Sequence, residues 1–159
     1  MTAGPAVPAP EDYIGHLLRR AQQVHLAAWL RDVSPEVTSV QFAALSVLAR
    51  TPGISQVDLG SALDLDRSTI ADMVRRMAGR DLLTRVRSAT DTRRNVLELT
   101  DHGRQVLGDI QPRVAGLEPV LTAGLDADES AELRRLLLRV LAGAGEQGLL
   151  ASTTPVRTA

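Results

Sequence analysis

Cysteine and lysine are both absent from this chain of 159 residues, and it holds one Tyr, one Trp and one Phe. Without cysteine there is no disulfide framework, no thiolate metal site and no thiol redox switch. With aromatics at 2%, the core must be built from Leu, Val, Ala and Ile, a set that favours helices over a β-sandwich. All 18 basic residues are arginine, a bias that a GC-rich coding sequence produces. No apolar run of about 18 residues and no signal-peptide pattern is visible, so a cytoplasmic protein is expected. His16, His25 and His102 lack the tight spacing with acids that a metal site needs, and neither metal nor cofactor is expected. His102 has no nucleophile at readable spacing, and no Gly-rich loop could cradle a phosphate, which argues against an enzyme.

What the chain does have is an uneven spread of charge. Its formal net charge is −1, which alone argues against an indiscriminate nucleic-acid binder. Residues 67–94, however, contain eight arginines against three aspartates. That window is +5 and the remainder −6. A basic face on an acidic body suits a protein that docks one surface on phosphate.

Hydrophobic periodicity and breakers divide the chain. Residues 1–10, MTAGPAVPAP, read as a disordered tail. Over residues 11–34, Ile14, Leu17, Leu18, Ala21, Val24 and Ala28 form one apolar stripe, a dimerisation helix ended by Ser34-Pro35. A second helix is expected over about 38–50 with Phe42, Leu45 and Leu48 inward, stopped by Thr51-Pro52-Gly53. Ser55 can cap a third carrying Val57, Leu59 and Leu63. Asp66 can cap a fourth in which Ile70, Met73, Val74 and Met77 face the core and Gly79 makes the C-terminal break. Residues 82–87 and 96–100 read as two short strands joined by a hairpin tip, Leu97 and Leu99 alternating with Val96 and Glu98.

Residues 35–100 therefore make a winged helix-turn-helix lobe, and residues 101–145 are expected to be dimerisation helices. Thr100 caps the first of these, running toward Gly124, with Pro112 and Pro119 expected to bend or interrupt it. Asp126 with Glu129 opens the last in capping-box fashion, and Leu133, Leu136, Leu137, Val140 and Leu141 give it a wide apolar face. Residues 146–159 read as a flexible tail. The fold class expected is mainly α with a small β-hairpin wing.

The fourth helix turns Arg67, Ser68, Thr69, Asp72, Arg75 and Arg76 away from its apolar stripe, the polar set a recognition helix offers to base edges and phosphates. Ser68 and Thr69 lie in the first turn, where hydroxyls and free N–H groups suit phosphate. Arg87, Arg93 and Arg94 stand on the hairpin. A narrow minor groove strengthens negative potential and attracts an inserted arginine. Asp91, two residues before Arg93, can fix its guanidinium by a charge-assisted hydrogen bond.

DTRRNVLELT fits the pattern D-x-R-x-x-x-L-x-L-T at Asp91, Arg93, Leu97, Leu99 and Thr100, and so resembles the wing of the MarR family of winged-helix regulators. DRSTIADMVRRMAGRDLL resembles that family's recognition helix and first wing strand, and VTSVQFAALSVLA its second helix. The resemblance spans about residues 11–145. It implies an obligate homodimer whose terminal helices interleave while two lobes read a pseudo-palindrome, with Arg93 in the minor groove and Asp91 positioning it. Asp72 departs from the pattern, since many relatives carry a basic or neutral residue there. The sequence supports the dimer independently, because the terminal helices expose more Leu than one small lobe can cover.

The resemblance also implies a small ligand, frequently a phenolic or other aromatic carboxylate, held between dimer helices and lobe. RRAQQVH and TSVQFAAL resemble the branch that controls aromatic-acid breakdown. His16, Arg19, Arg20, His25 and Trp29 are the candidate effector residues. Arg19 or Arg20 can pair a carboxylate, and His16 or His25 can bond a phenol. The expectation is a homodimeric repressor of an inverted-repeat operator in double-stranded DNA, released by an aromatic acid. The alternative is a winged-helix module whose basic face binds an acidic protein.

Overall fold

A computed structural model of the chain describes residues 8–87 and 95–150. Within them six α-helices and one two-stranded hairpin follow the expected order: α1 Ile14–Ala28, α2 Ser39–Arg50, α3 Gln56–Ala62, α4 Arg67–Gly79, β1 Leu83–Arg87, β2 Asn95–Leu99, α5 Asp101–Leu121 and α6 Ala127–Glu146. The architecture is the expected one, a mainly helical chain carrying a β-hairpin wing.

Side-chain caps set the helix starts. Thr38 Oγ1 accepts from Gln41 N–H at 3.2 Å while Gln41 Oε1 accepts from Thr38 N–H at 3.0 Å, a reciprocal box that opens α2. Ser55 caps α3, Asp66 caps α4 and Thr100 caps α5. Asp126 and Glu129 form the expected reciprocal pair, both bonds 2.9 Å. Each satisfies N–H groups that a helix start otherwise leaves without partners.

The core lies in the lobe. Leu45 and Leu48 of α2, Leu59 of α3, Ile70, Val74 and Met77 of α4, and Leu82, Leu83 and Leu97 of the wing base are fully buried. Each such side chain contributes roughly 1.5–3 kcal/mol by leaving water. Burying Leu97 and Leu99 while Glu98 stays exposed is the alternation expected of β2. Leu83 pairs with Leu99 and Arg87 with Asn95, and Leu97 N–H also donates to the Ile54 carbonyl at 2.9 Å. The hairpin is thereby tied to the α2–α3 loop. Of the apolar residues that α3 was expected to carry, Leu59 is buried with Gly60, whereas Val57 faces solvent at 66% exposure.

Two breaks differ from expectation. Gly79 stays helical, and the left-handed residue that turns the chain into β1 is Asp81, φ 55°. Aspartate tolerates that region better than most side chains, as Asp64 also does at φ 52° between α3 and α4. Neither Pro112 nor Pro119 interrupts α5, which runs from Asp101 to Leu121. At the far end α6 reaches Glu146, where Gly148 turns left-handed and Leu149 N–H closes onto the Ala144 carbonyl at 2.9 Å. Helix α6 thus ends within one residue of the expected boundary at 145.

Beyond Ala28, α1 widens into a π turn, Trp29–Val33, closed by Ser34 N–H onto the Trp29 carbonyl at 3.0 Å. Ser34 ends the helix, as its Ser-Pro step foretold. At the other end of the lobe, Gly103 of α5 lies so close to the chain before β1 that an added Cβ would sit 1.9 Å from the Leu82 carbonyl oxygen. Thr100 N–H reaches that carbonyl at 3.4 Å, and its hydroxyl donates to the Asp81 carbonyl. Only glycine fits this crossing.

Candidate DNA-reading face

Helix α4 buries Ile70, Met73, Val74 and Met77, so its opposite face points outward. Arg67, Ser68, Thr69, Arg75 and Arg76 are exposed there and Asp72 is half-buried, as the sequence pattern requires. The first turn differs from expectation. Asp66 Oδ1 accepts from the N–H groups of Ser68 and Thr69 at 2.9 and 3.0 Å, and both hydroxyls donate to the same carboxylate, at 2.6 and 2.5 Å. These bonds, led by the two hydroxyls, hold the Asp66 carboxyl well below the usual range. The N–H groups assigned to phosphate are therefore occupied by the cap. The hydroxyl oxygens can only accept unless they leave Asp66.

One turn further on, Asp72 bonds Arg75 through one carboxylate oxygen and Arg76 through the other. Both guanidiniums remain largely outside, with side chains 78% and 61% exposed against 38% for Asp72. Strand β1 runs beside this face. An open groove of about 820 Å³ separates the two, lined by Ser68, Asp72 and Arg75 from the helix and Thr84 and Arg85 from the strand. Arg87 ends β1 in solvent. Asp91, Arg93 and Arg94, the expected minor-groove residues, lie outside the described residues.

Three arginine ties on and around this face were not read from the sequence. Arg85 Nη2 donates to Gln56 Oε1 at 2.8 Å, bracing the strand against α3. Arg80 Nη1 donates to the Glu36 carbonyl at 2.7 Å, anchoring the end of α4 to the segment before α2. Arg113 of α5 donates to the Val33 carbonyl at 3.2 Å, on the π turn. All join residues far apart in sequence, a relation that periodicity does not report.

The five candidate effector residues sit on α1 and the turn that follows it. Trp29 is only 4% exposed, and its Nε1 donates to the Val37 carbonyl at 2.7 Å. Its ring meets Phe42 at 5.8 Å and His25 edge-on at 6.0 Å. The single Trp is thus a core residue whose polar end is already engaged, and at most a ring edge is left for a ligand. His16 and His25 are half-buried, whereas Arg20 is exposed and exposed Arg19 donates to Gln23 Oε1 at 2.9 Å. At about 100° per residue, a spacing of nine puts the two histidines on opposite sides of α1. By the same count Arg19 and Arg20 flank His16 and stand away from His25, so a ligand on one helix can engage His16 together with an arginine but not His25 with one.

The model of the MarR family matches residues 37–95. The transcriptional regulator HosA of Escherichia coli is 32% identical over 126 residues, covering 79% of this chain and 93% of its own. The PcaV transcriptional regulator from Streptomyces coelicolor, in complex with its natural ligand, has a similar structure, with TM-score 0.82 and 42% identity. That match covers 88% of this chain and 99% of PcaV. The transcriptional repressor CouR bound to a 23-mer DNA duplex is also similar, at TM-score 0.78 and 30% identity, over 87% and 99% of the two chains. CouR bound to p-coumaroyl-CoA gives the same TM-score. Regulators whose sequences match along nearly their full length share this fold, and the chain belongs to the MarR family of winged-helix transcriptional regulators.

Proposed function

We propose that the chain is a cytoplasmic homodimeric repressor that places two α4 helices on an inverted-repeat operator and is released by a small aromatic or phenolic acid. The observation that carries this reading is the state of α6. It has no buried residue, although Leu133, Leu136, Leu137, Val140 and Leu141 line one side of it. Helix α1 likewise leaves Ile14, Leu17, Leu18 and Val24 exposed. Apolar surface in such quantity calls for a partner, and a second copy offers the same surface under two-fold symmetry. Two-fold pairing would set the recognition helices about one DNA turn apart, which calls for an operator of roughly 16–20 base pairs.

The effector part rests on where α1 meets the lobe. His25 stands against the buried Trp29 ring, and Trp29 holds the Val37 carbonyl just ahead of α2. A ligand bonded by His25 would act on the joint between dimer helix and lobe, whereas His16 shares its side of α1 with Arg19 and Arg20 and would bond the phenol of an acid whose carboxylate they hold. CouR, bound in separate structures to DNA and to p-coumaroyl-CoA, offers a precedent for one protein meeting both kinds of partner.

The test is a titration of inverted-repeat duplex into the purified protein, alongside sedimentation to give its mass. A dimer that binds the repeat, weakens steeply with salt and releases DNA on adding benzoate- or cinnamate-type acids is the expected result. Arg93→Ala should weaken operator binding by about 1–3 kcal/mol. A monomer at working concentrations, or an Arg93→Ala/Arg94→Ala variant that is folded and binds the operator like the wild type, would sink the corresponding part. Unlabelled duplex that failed to compete against an acidic protein partner would favour the interaction-module alternative.

A further inference from the structure

We propose that Asp72 is a positioning residue for operator specificity: its one carboxylate clamps Arg75 and Arg76, aiming them at base edges and withholding charge from phosphate. The inference rests on the operator-binding reading above and concerns how the recognition helix discriminates.

The geometry points this way on three counts. Asp72 lies on the outward face of α4 and on the wall of the groove facing β1. It bonds Arg75 at i,i+3 through Oδ1 and Arg76 at i,i+4 through Oδ2, so each oxygen already holds an arginine. Both guanidiniums stay exposed while held. Each has five N–H donors, so a bond to Asp72 leaves most of them directed outward, enough for a two-pronged contact with guanine O6 and N7.

Helix stability does not account for the residue. Aspartate is a poor helix former away from the first turn, and an exposed ion pair returns little stability. For plain affinity, a carboxylate on the face that meets phosphates is a liability, since it repels the duplex. The gain that offsets both is selectivity. Two unrestrained arginines would take phosphate anywhere along DNA, whereas two held in place favour the duplex whose bases meet them. A guanidinium ordered before binding also loses less rotamer entropy when it docks.

The experiment uses the full chain and a duplex selected by the wild-type protein from a random-sequence pool, with a shuffled duplex of the same composition. Fluorescence anisotropy over a range of salt gives both affinities for wild type, Asp72→Ala, Asp72→Asn, Arg75→Ala and the Asp72→Ala/Arg75→Ala double variant. We expect Asp72→Ala to bind shuffled DNA more tightly, with a salt slope steeper by about 0.9 for each phosphate gained. Its preference for the selected duplex should fall about tenfold. In the Arg75→Ala background the same change should alter the preference little, because there is less left to position. Asp72→Asn keeps one acceptor oxygen and the same shape, so it should fall between and serves if Asp72→Ala melts early. An unchanged preference in both Asp72 variants overturns the clamp. So does an equal further loss in the Arg75→Ala background, which would make Asp72 itself the base reader. A wild type that enriches no duplex overturns the operator reading and the clamp with it, an outcome distinct from a wild-type preference that the Asp72 variants share.

Discussion

The lobe formed by α2, α3, α4 and the wing and the last helix, α6, are built from similar apolar side chains and meet opposite fates. In the lobe Leu45, Leu48, Leu59, Leu82, Leu83 and Leu97 are fully enclosed, and their charged neighbours stay outside. In α6 five residues at helical spacing, Leu133 to Leu141, remain half-open to water, and nothing on that helix is buried. The lobe is finished within one chain. Helix α6 leaves its apolar stripe uncovered within one chain, and that stripe is the surface the proposed dimer would cover.

Four variants can break or sharpen that contrast. The largest effect is expected from Leu137→Glu with Leu141→Glu, which places carboxylates in the uncovered stripe. Loss of the dimer would remove the gain from engaging two half-sites, about 10²–10⁴ in operator affinity, while the lobe stays folded. Sedimentation and anisotropy check this, and a dimer that persisted would put the interface elsewhere. Next comes Leu45→Ala in the enclosed core, expected to cost about 2–5 kcal/mol in urea unfolding by leaving a cavity. Its cost should fall on the lobe itself and not on the monomer–dimer equilibrium.

Trp29→Phe tests the seam between the two regions. It strips the Val37 carbonyl of its buried partner, and an unpaired buried acceptor costs about 1–3 kcal/mol. Chemical denaturation reads the loss, and a neutral result would mean that water reaches Val37. The smallest effect is expected from Asp66→Ala, which uncaps α4. The folded-state pKa of Asp66 is depressed by its bonds to Ser68 and Thr69, so its contribution is present above the ordinary value of 3.8 and fades as pH falls through the folded-state value. Melting temperature should drop at neutral pH, and the gap to wild type should narrow in strong acid. A gap that widened on acidification would contradict the cap.

Much of the fold was legible because local chemistry marks it. Asp66, Ser55, Thr100 and the Asp126–Glu129 pair announce helix starts by residue type alone, and the four buried positions of α4 follow its periodicity. Gly79 misled for a physical reason. Glycine is the usual left-handed residue, but Asp81 two positions later takes that role and Gly79 remains helical. Trp29 looked like a ligand residue because a polar-edged aromatic on a polar helix face suggests binding. Its partner, the Val37 carbonyl eight residues on, exists only once the π turn has brought the chain round.

The outward face of α4 was legible in its residues but not in their pairing. Arg67, Ser68, Thr69, Asp72, Arg75 and Arg76 were identified by exclusion from the apolar stripe. That Asp66 engages the first-turn hydroxyls and Asp72 both later arginines depends on rotamers, which spacing alone leaves open. The ties of Arg80 to Glu36 and Arg85 to Gln56 cross between elements, and no local pattern foretells them.

The crossing at Gly103 has a consequence for lineage as well as for packing. Since a single added carbon would strike the Leu82 carbonyl, every chain that keeps this seam must spell glycine three residues after the threonine that closes its wing. Charges on α4 and apolar residues on α6 lie exposed and can be exchanged without disturbing the enclosed core. The letter at 103 has no synonym, so it marks the point from which the winged lobe and the two long helices of any such descendant can be counted.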